Sequence, residues 1–572
     1  MAETLISPGV LAQENDNSFL APAPLEAGAA IIGPTVKGPV EQPTVVTSYG
    51  QYQNTFGTTF TSGSTSQEYL TSLSVKSYFN NGGNSMLVTR VATGTFSAAT
   101  GSALTATDGG AAPFTFQTLG TGTVFNNGQP TEENSDGSLI SGSSDNIRYE
   151  IANVDDAQGT FSLLIRRGDD NSKNKAVLES FNDLSLDPNN SGYIEKVIGN
   201  QTTSVATDGT TKYVQTTGEY VNRSRFITIT GVARQTLDYI GTDGNIRVAT
   251  ASGSLPVVGS GSFGDASGDL VVGGDTYFDE ISTVSQGITV SDYADAISIL
   301  NNQDEYVFNI ISAPGLIYGE SGHSTQIDSI ISLAESRGDC IAVVDTVGYG
   351  TTVSNAAAGV ASINSSYTAN YWPWLQMQSA TGKNVWVPAS TVIPGIYAFT
   401  DGASAPWFAP AGLTRGGISD VIQAERKLTR TQRDTLYAKN VNPIATFPGS
   451  GISVFGQKTL QKKKSALDRV NVRRLLIELK KFLGDTAKTL VFEQNTIATR
   501  SKFLATVNPY LNSVVQRQGL YAFRVVMDES NNTADVIDRN QLIGQVLIQP
   551  AKTVEFIALD FTIEPTGATF GA

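Results

Sequence analysis

The chain has one cysteine, Cys340, and one histidine, His323, among 572 residues. A lone thiol forms no internal disulfide, which excludes a secreted disulfide scaffold. Clusters of cysteine and histidine that would ligate zinc are missing too. A Ser-His-Asp or Cys-His mechanism would have to run through His323, which sits in the polar, turn-like GESGHSTQ and reads as an ordinary loop residue. No apolar run reaches the roughly 18–20 residues that span a bilayer. The start, MAETLISPGV, lacks the basic segment and apolar core of a signal peptide. The expectation is a soluble protein that stays in the cytoplasm where it is made, with no membrane partner.

What is present is ordinary for a folded protein: 40% hydrophobic, 9% aromatic and 16% charged residues. The length is several domains' worth, because single cores rarely grow past about 250–300 residues. Glycine is high at 56, and with abundant Ser and Thr this favours short strands joined by turns. Charge is unevenly placed. Residues 1–414 carry 16 basic and 39 acidic side chains, whereas residues 415–572 carry 22 basic and 14 acidic. Such asymmetry implies surfaces that face different surroundings.

The pattern along the chain predicts an α/β (α+β) multidomain fold. Residues 1–26, with SPGV and LAPAPLEAG, offer little to a core, and a free tail or a docking strand both fit. Order begins in 27–92, where a buried strand in GAAIIGPTVKGPV precedes helices at 48–56 and 66–80 and a strand at 86–91. Residues 93–280 are turn-dense and β-rich, with strands in FSLLIRR, RFITITGVA and DLVVGG. In 281–414 helices and strands alternate as in βαβ crossovers, through the helix QIDSIISLAESR capped by Gly338 and the strands CIAVVDT and SSYTANYWPWLQM. Residues 415–551 hold helices, then strands in YAFRVVM and QVLIQP. A further strand, VEFIALDFTI (554–563), lies in 552–572; it sets Val554, Phe556 and Ala558 on one face and Ile557, Leu559 and Phe561 on the other.

Few motifs suggest chemistry. VVDTVGYGTT contains neither G-x-G-x-x-G nor G-x-x-x-x-G-K-[ST], so no nucleotide cofactor is supported. The triplets Arg167-Gly168-Asp169 and Arg337-Gly338-Asp339 are too short to imply adhesion. Asp155/Asp156 and Asp169/Asp170 sit in polar turns, where capping a loop is the commoner role than hydrolysis.

The segment 460–484, LQKKKSALDRVNVRRLLIELKKFLG, holds eight Lys or Arg against two acids. Val472, Leu475, Leu476, Leu479, Phe482 and Leu483 fall on one helical face. That leaves Lys462, Lys463, Lys464, Arg473, Arg474, Lys480 and Lys481 outside or at the margins. A solvated charged face is the plain reading. Nucleic acid is disfavoured by the acidic remainder of the chain and by the lack of aromatic interleaving. A membrane would consume the apolar face that a core needs. An acidic protein surface remains.

Several blocks resemble contractile bacteriophage tail sheath proteins. They are SPGV, IIGPTVKGPVEQPTVVTSYGQYQNTFG, SSYTANYWPW, WFAPAGL, NVNPIATFPGSGISVFGQKTL, LDRVNVRRLLIELKK, FEQN and DESNNTADVIDRNQLIGQVLIQPAKTVEFIALDF. They keep the family's order and cover both ends of the chain, more weakly in 93–280. The resemblance implies a structural subunit with no catalytic centre, cofactor or metal. It implies a discontinuous sheath core built from both chain ends, a β-rich inserted outer domain, and a C-terminal inner domain facing the tube. It further implies hexameric rings stacked around a tail tube protein, with baseplate and tail terminator as further partners, in a virion assembled in the host bacterial cytoplasm. Contraction drives the tube through the host envelope. Terminal arms would link neighbouring copies: Ser7, Pro8, Gly9, Val10 and Leu11 at one end, and Val554, Phe556, Ile557, Leu559 and Phe561 at the other. The basic face of 460–484 would then meet the tube. A sheath from another contractile injection machine, bacteriocin-like or secretory, would look similar at this level.

Overall fold

A computed structural model describes residues 25–62, 65–101, 105–128, 133–209, 211–241, 244–248, 250–270 and 281–557. Ser7, Pro8, Gly9, Val10 and Leu11 at one end, and Leu559 and Phe561 at the other, lie outside the described residues. So does the DLVVGG strand beyond Leu270.

The short apolar runs assemble into one eight-stranded sheet. Its order is Gly451–Val454, Asn442–Phe447, Thr368–Trp372, Ile341–Asp345, Ile310–Ile317, Ala29–Gly33, Met86–Arg90 and Thr44–Val46. The inner pairs are parallel and both outermost pairs are antiparallel. Every residue of the five central strands is buried, as parallel strands covered on both faces require. Successive side chains alternate between two cores. Ala30, Ile32 and Leu87 join the layer with helix His323–Arg337, while Ala29, Ile31 and Val88 join the layer with helices Leu70–Asn80 and Ile393–Ala403.

Two expectations change here. The helix expected over 66–80 starts at Leu70, because Thr65–Glu68 pairs as a strand with Thr59–Ser62. The fully buried Glu68 carboxylate explains the extended start: it accepts hydrogen bonds from Ser72 Oγ and from the Ala380 amide. The expected boundary at 414/415 also falls inside one layer, since Asn442–Phe447 and Gly451–Val454 extend the same sheet.

Between Met86–Arg90 and Ile310–Ile317 the described chain is mainly antiparallel. Two four-stranded sheets, one containing Ile147–Asp155 and Thr160–Arg167 and the other Phe114–Thr121 and Ile227–Val232, share a separate aromatic core. Phe116 meets Tyr149 and Phe263 edge-on at 4.7 and 5.5 Å. A hairpin, Thr202–Asp208 with Thr211–Thr217, returns to the α/β layer, where Val205 and Val214 pack and Lys212 pairs with Asp295 at 3.1 Å.

A last layer carries the helices Val470–Lys488 and Ile497–Gln516 and a hairpin of Leu520–Val526 with Gln545–Pro550. Leu475, Leu479, Phe503, Val507, Leu511 and Trp407 are among its core residues.

Candidate assembly interface

Helix Val470–Lys488 is gripped from two sides. Leu475 and Leu479 point into the helical layer, where Phe482 stacks on Tyr510 at 3.7 Å. Val470 and Ile477 point instead into the core of the eight-stranded sheet. The predicted stripe is therefore real but too narrow, because the first two turns are enclosed nearly all round.

That enclosure corrects the basic face. Arg473 and Arg474 are buried, 4% and 3% exposed, and belong to no open surface. Arg473 lies over the Tyr367 ring at 3.9 Å and donates to Ser366. Arg474 pairs with Asp401 at 2.5 Å and lies over Tyr397. Burial lowers the Arg474 pKa, but the Asp401 charge and hydrogen bond outweigh it and hold it above its ordinary value. Delocalised, weakly hydrated guanidinium groups on aromatic faces can be buried where an ammonium would not be. Lys462, Lys463 and Lys464 are exposed in the loop before the helix, and Lys480 and Lys481 are exposed in its second half. Lys480 Nζ donates to the Tyr367 hydroxyl at 3.0 Å, so it shares that ring with Arg473.

The hairpin Leu520–Val526/Gln545–Pro550 is a sheet of two strands, with no third strand beside it among the described residues. Tyr521 and Leu547 on it are 67% and 48% exposed. The chain then continues as 551–557, which forms no strand, contrary to the expectation for the described part of VEFIALDFTI. Val554, Phe556 and Ile557 are nonetheless wide open, at 79%, 82% and 77%. Such side chains in sequence are an exposed apolar strip of the kind that marks an interaction site. A groove of about 1070 Å³ runs beside them, lined by Trp407, Phe408, Tyr437, Phe455 and Tyr521 among others. Arg415, Arg430, Arg433 and Lys552 on its walls outnumber Asp434 and Glu555, so it is cationic.

Sequence reasoning missed one contact here. Arg469, at the N-cap of the helix, holds Glu555 through Nε to Oε1 at 2.6 Å and Nη2 to Oε2 at 2.9 Å. Burial pushes the Glu555 carboxyl up, but Arg469, Tyr437 and Gln457 together pull it below its ordinary value. An Arg and a Glu separated by 86 positions leave no local signal.

The groups that chemistry would need have structural jobs. His323 is not a loop residue: it starts helix His323–Arg337 and is fully buried. Its Nδ1 accepts from the Ile317 amide at 3.0 Å, and its Nε2 meets the Ser282 carbonyl at 2.6 Å. Burial lowers its pKa. Burial also raises the Cys340 thiol. Asp155 accepts from the amides of Ala157 and Gln158, a loop cap as expected. Asp170 is buried against Arg166 at 2.7 Å. Arg337 of the second RGD triplet is buried and bonded to its own Asp339. Among the described residues no group of His, Cys, Asp and Glu could hold a metal, and no helix is long and apolar enough to cross a membrane.

Residues 286–460 match the family model of the phage tail sheath protein central domain, and residues 462–564 match that of the phage tail sheath C-terminal domain. The boundary follows the last strand of the large sheet. The tail sheath protein of Vibrio phage KVP40 is 36% identical over 307 residues, covering 53% of this chain and 43% of that protein. That of Enterobacteria phage T4 is 33% identical over 321 residues, covering 51% of this chain and 48% of that one. The chain thus spans less than half the length of these relatives. A crystal structure of a sheath tail protein from Listeria innocua shares the fold, with a TM-score of 0.52 at 11% identity over 92% of this chain and 95% of that chain. On these matches residues 286–564 belong to the phage tail sheath family, whose members are structural proteins and not enzymes.

Proposed function

We propose that this chain is a repeating subunit of a contractile phage tail sheath. It polymerises as stacked hexameric rings around a tail tube, is anchored at a baseplate and closed by a tail terminator, and contracts to drive the tube through the host envelope. It is a virion component, assembled in the host bacterial cytoplasm, and engages neither nucleic acid nor membrane directly. The relatives named above are phage tail sheath proteins, which favours a phage tail over other contractile machines.

One observation carries the reading: the open apolar strip Val554, Phe556 and Ile557 beside a two-stranded hairpin in the same layer. Val554, Phe556 and Ile557 are the described root of a C-terminal arm that is donated to a neighbour, whose hairpin is its acceptor. Strand addition to a free sheet edge gains main-chain hydrogen bonds worth about 0.5–1.5 kcal/mol each. One arm binds modestly, but several per subunit make each later contact effectively intramolecular. The strand stays paired while its linker turns, so the lattice survives contraction. The segment 1–26 supplies a second arm through Ser7–Leu11. Residues 93–280 form the outer domain of the wall. Lys462, Lys463, Lys464, Lys480 and Lys481 face the tube and make weak, salt-dependent contacts with an acidic surface, which hold register and release on contraction.

Electron microscopy of the purified protein tests this. Long tubes with a striated wall are expected, and removal of 1–25 or 552–572 abolishes them. Stable monomers at high concentration, unchanged by either deletion, refute the arm reading. Reversal of Lys462–Lys464 to Glu leaves the tubes intact but abolishes their assembly on tail tubes at low salt.

A further inference from the structure

Burial alternates along the arm root. Thr553 and Glu555 turn towards the domain, while Val554 and Phe556 turn out to solvent. This inverts an ordinary surface strand, which lays its apolar face on the core and its polar face in water. Something other than apolar burial must hold the orientation.

The holding groups are polar and come from two firmly seated positions. Gln457 Nε2 donates to Thr553 Oγ1 at 2.5 Å and to Glu555 Oε1 at 3.2 Å. Arg469 grips both oxygens of the same carboxylate. Gln457 is 3% exposed, and its carbonyl accepts from the amide of fully buried Val470, the residue after Arg469. The two side chains therefore form one platform. A bidentate guanidinium–carboxylate pair fixes direction as well as distance. A slip of one residue would exchange the faces, pressing Val554 and Phe556 onto the platform and turning Glu555 outward.

We propose that Arg469 and Gln457 are positioning residues that set the register of the C-terminal arm, so that Val554 and Phe556 are presented to a second copy of this chain. The inference rests on the arm-exchange reading above. The turning point of the arm then lies beyond Glu555, and the platform moves with the helix Val470–Lys488 as one body.

The test uses the full chain in its unassembled state, with the variants Arg469→Gln, Arg469→Lys, Glu555→Gln and the exchange Arg469→Glu/Glu555→Arg. Residues 551–557 belong to no helix or strand, so Glu555→Gln, which loosens only this segment, is expected to keep the parent's melting temperature. Chymotryptic cleavage after Phe556 should accelerate at least about tenfold in Arg469→Gln and Glu555→Gln, as loss of the charge-assisted pair that holds the preceding residue predicts. Amide hydrogen exchange within 470–488 stays unchanged, Arg469→Lys recovers little, and the charge exchange restores protection from cleavage. Tubes seen by electron microscopy are lost or shortened in the same variants that lose protection. Parental cleavage rates in both single variants would overturn the proposal, and so would accelerated cleavage with normal tubes. The arm reading fails separately, on tubes that persist when 552–572 is deleted.

Discussion

Asp345 ends a central strand with its carboxylate buried, held among the described residues by the amide and hydroxyl of Ser390. Burial pushes its pKa up to about 7, against the lowering by those two hydrogen bonds. The unfolded chain releases this proton near pH 4, so from there to about 7 the folded state binds more protons than the unfolded one. Stability from this group is fully present below that window and is lost as pH rises through it. Asp345→Asn should abolish the slope and stand above the parent at pH 8 by on the order of a few kcal/mol. Urea denaturation at pH 4, 6 and 8 measures it. Phe492 is strained in another way. It lies between the two long helices at φ 70°, with its side chain fully exposed. A left-handed backbone costs a bulky residue about 1–2 kcal/mol, of which glycine's extra unfolded-state entropy takes back about 0.5–1. Phe492→Gly should therefore raise the melting temperature of the unassembled chain slightly, although FEQN is a stretch that resembles the family. Neither residue was legible in advance, because burial and backbone angle come from distant contacts.

The helix Val470–Lys488 shows what a one-dimensional pattern can carry. Its period marked Val472, Leu475 and Leu479 correctly, because one buried face imposes a 3.6-residue repeat. The same reasoning put Arg473 and Arg474 outside, because it allows only one packing partner. Two partners enclose this helix, and Tyr367, Tyr397 and Asp401 that receive the guanidinium groups come from segments about 70–110 positions away. Leu475→Ala should cost about 2–5 kcal/mol of stability, the range for a leucine deleted from a closed core. Lys463→Ala on the open side should change it by less than about 0.5 kcal/mol. Denaturant midpoints that moved equally for both would mean that the helix does not seat as described. The central strands were the most legible elements, since continuous apolar runs between Gly and Pro turns have few other uses. The end of the chain was the least legible: VEFIALDFTI has strand composition, but composition does not say whether the pairing partner lies in the same chain.

At the scale of the whole molecule, the β-rich region and the α/β layer keep separate cores, and one of the contacts that join them is Arg90. It ends the buried strand Met86–Arg90 and is 1% exposed. Nη1 donates to the carbonyls of Gly38 at 2.6 Å and Thr121 at 2.8 Å, and the guanidinium lies over Phe96 at 5.0 Å. Gly38 belongs to the α/β layer, whereas Phe96 and Thr121 belong to the β-rich region, so one side chain spans the join. Burial pushes its pKa down to about 10, which still leaves it charged at neutral pH. The β-rich region has its own core, and it is also joined to the α/β layer by the hairpin carrying Val205 and Val214, by Lys37 Nζ donating to the Asp145 carbonyl at 3.0 Å, and by Val124 packed against Val36, Phe60 and Tyr69. Separate cores with thin joins unfold in more than one step. Calorimetry of the unassembled chain should show at least two transitions. Arg90→Ala removes a charged donor from the Gly38 and Thr121 carbonyls, although Gly38 keeps the Thr121 amide as a donor, a loss of about 1–3 kcal/mol in all. It should move the transitions apart, because each region then melts with less support from the other. A parent that melts in a single two-state step, or an Arg90→Ala variant whose transitions keep their spacing, would mean that the joins are stronger than these contacts and that the wall subunit behaves as one rigid body.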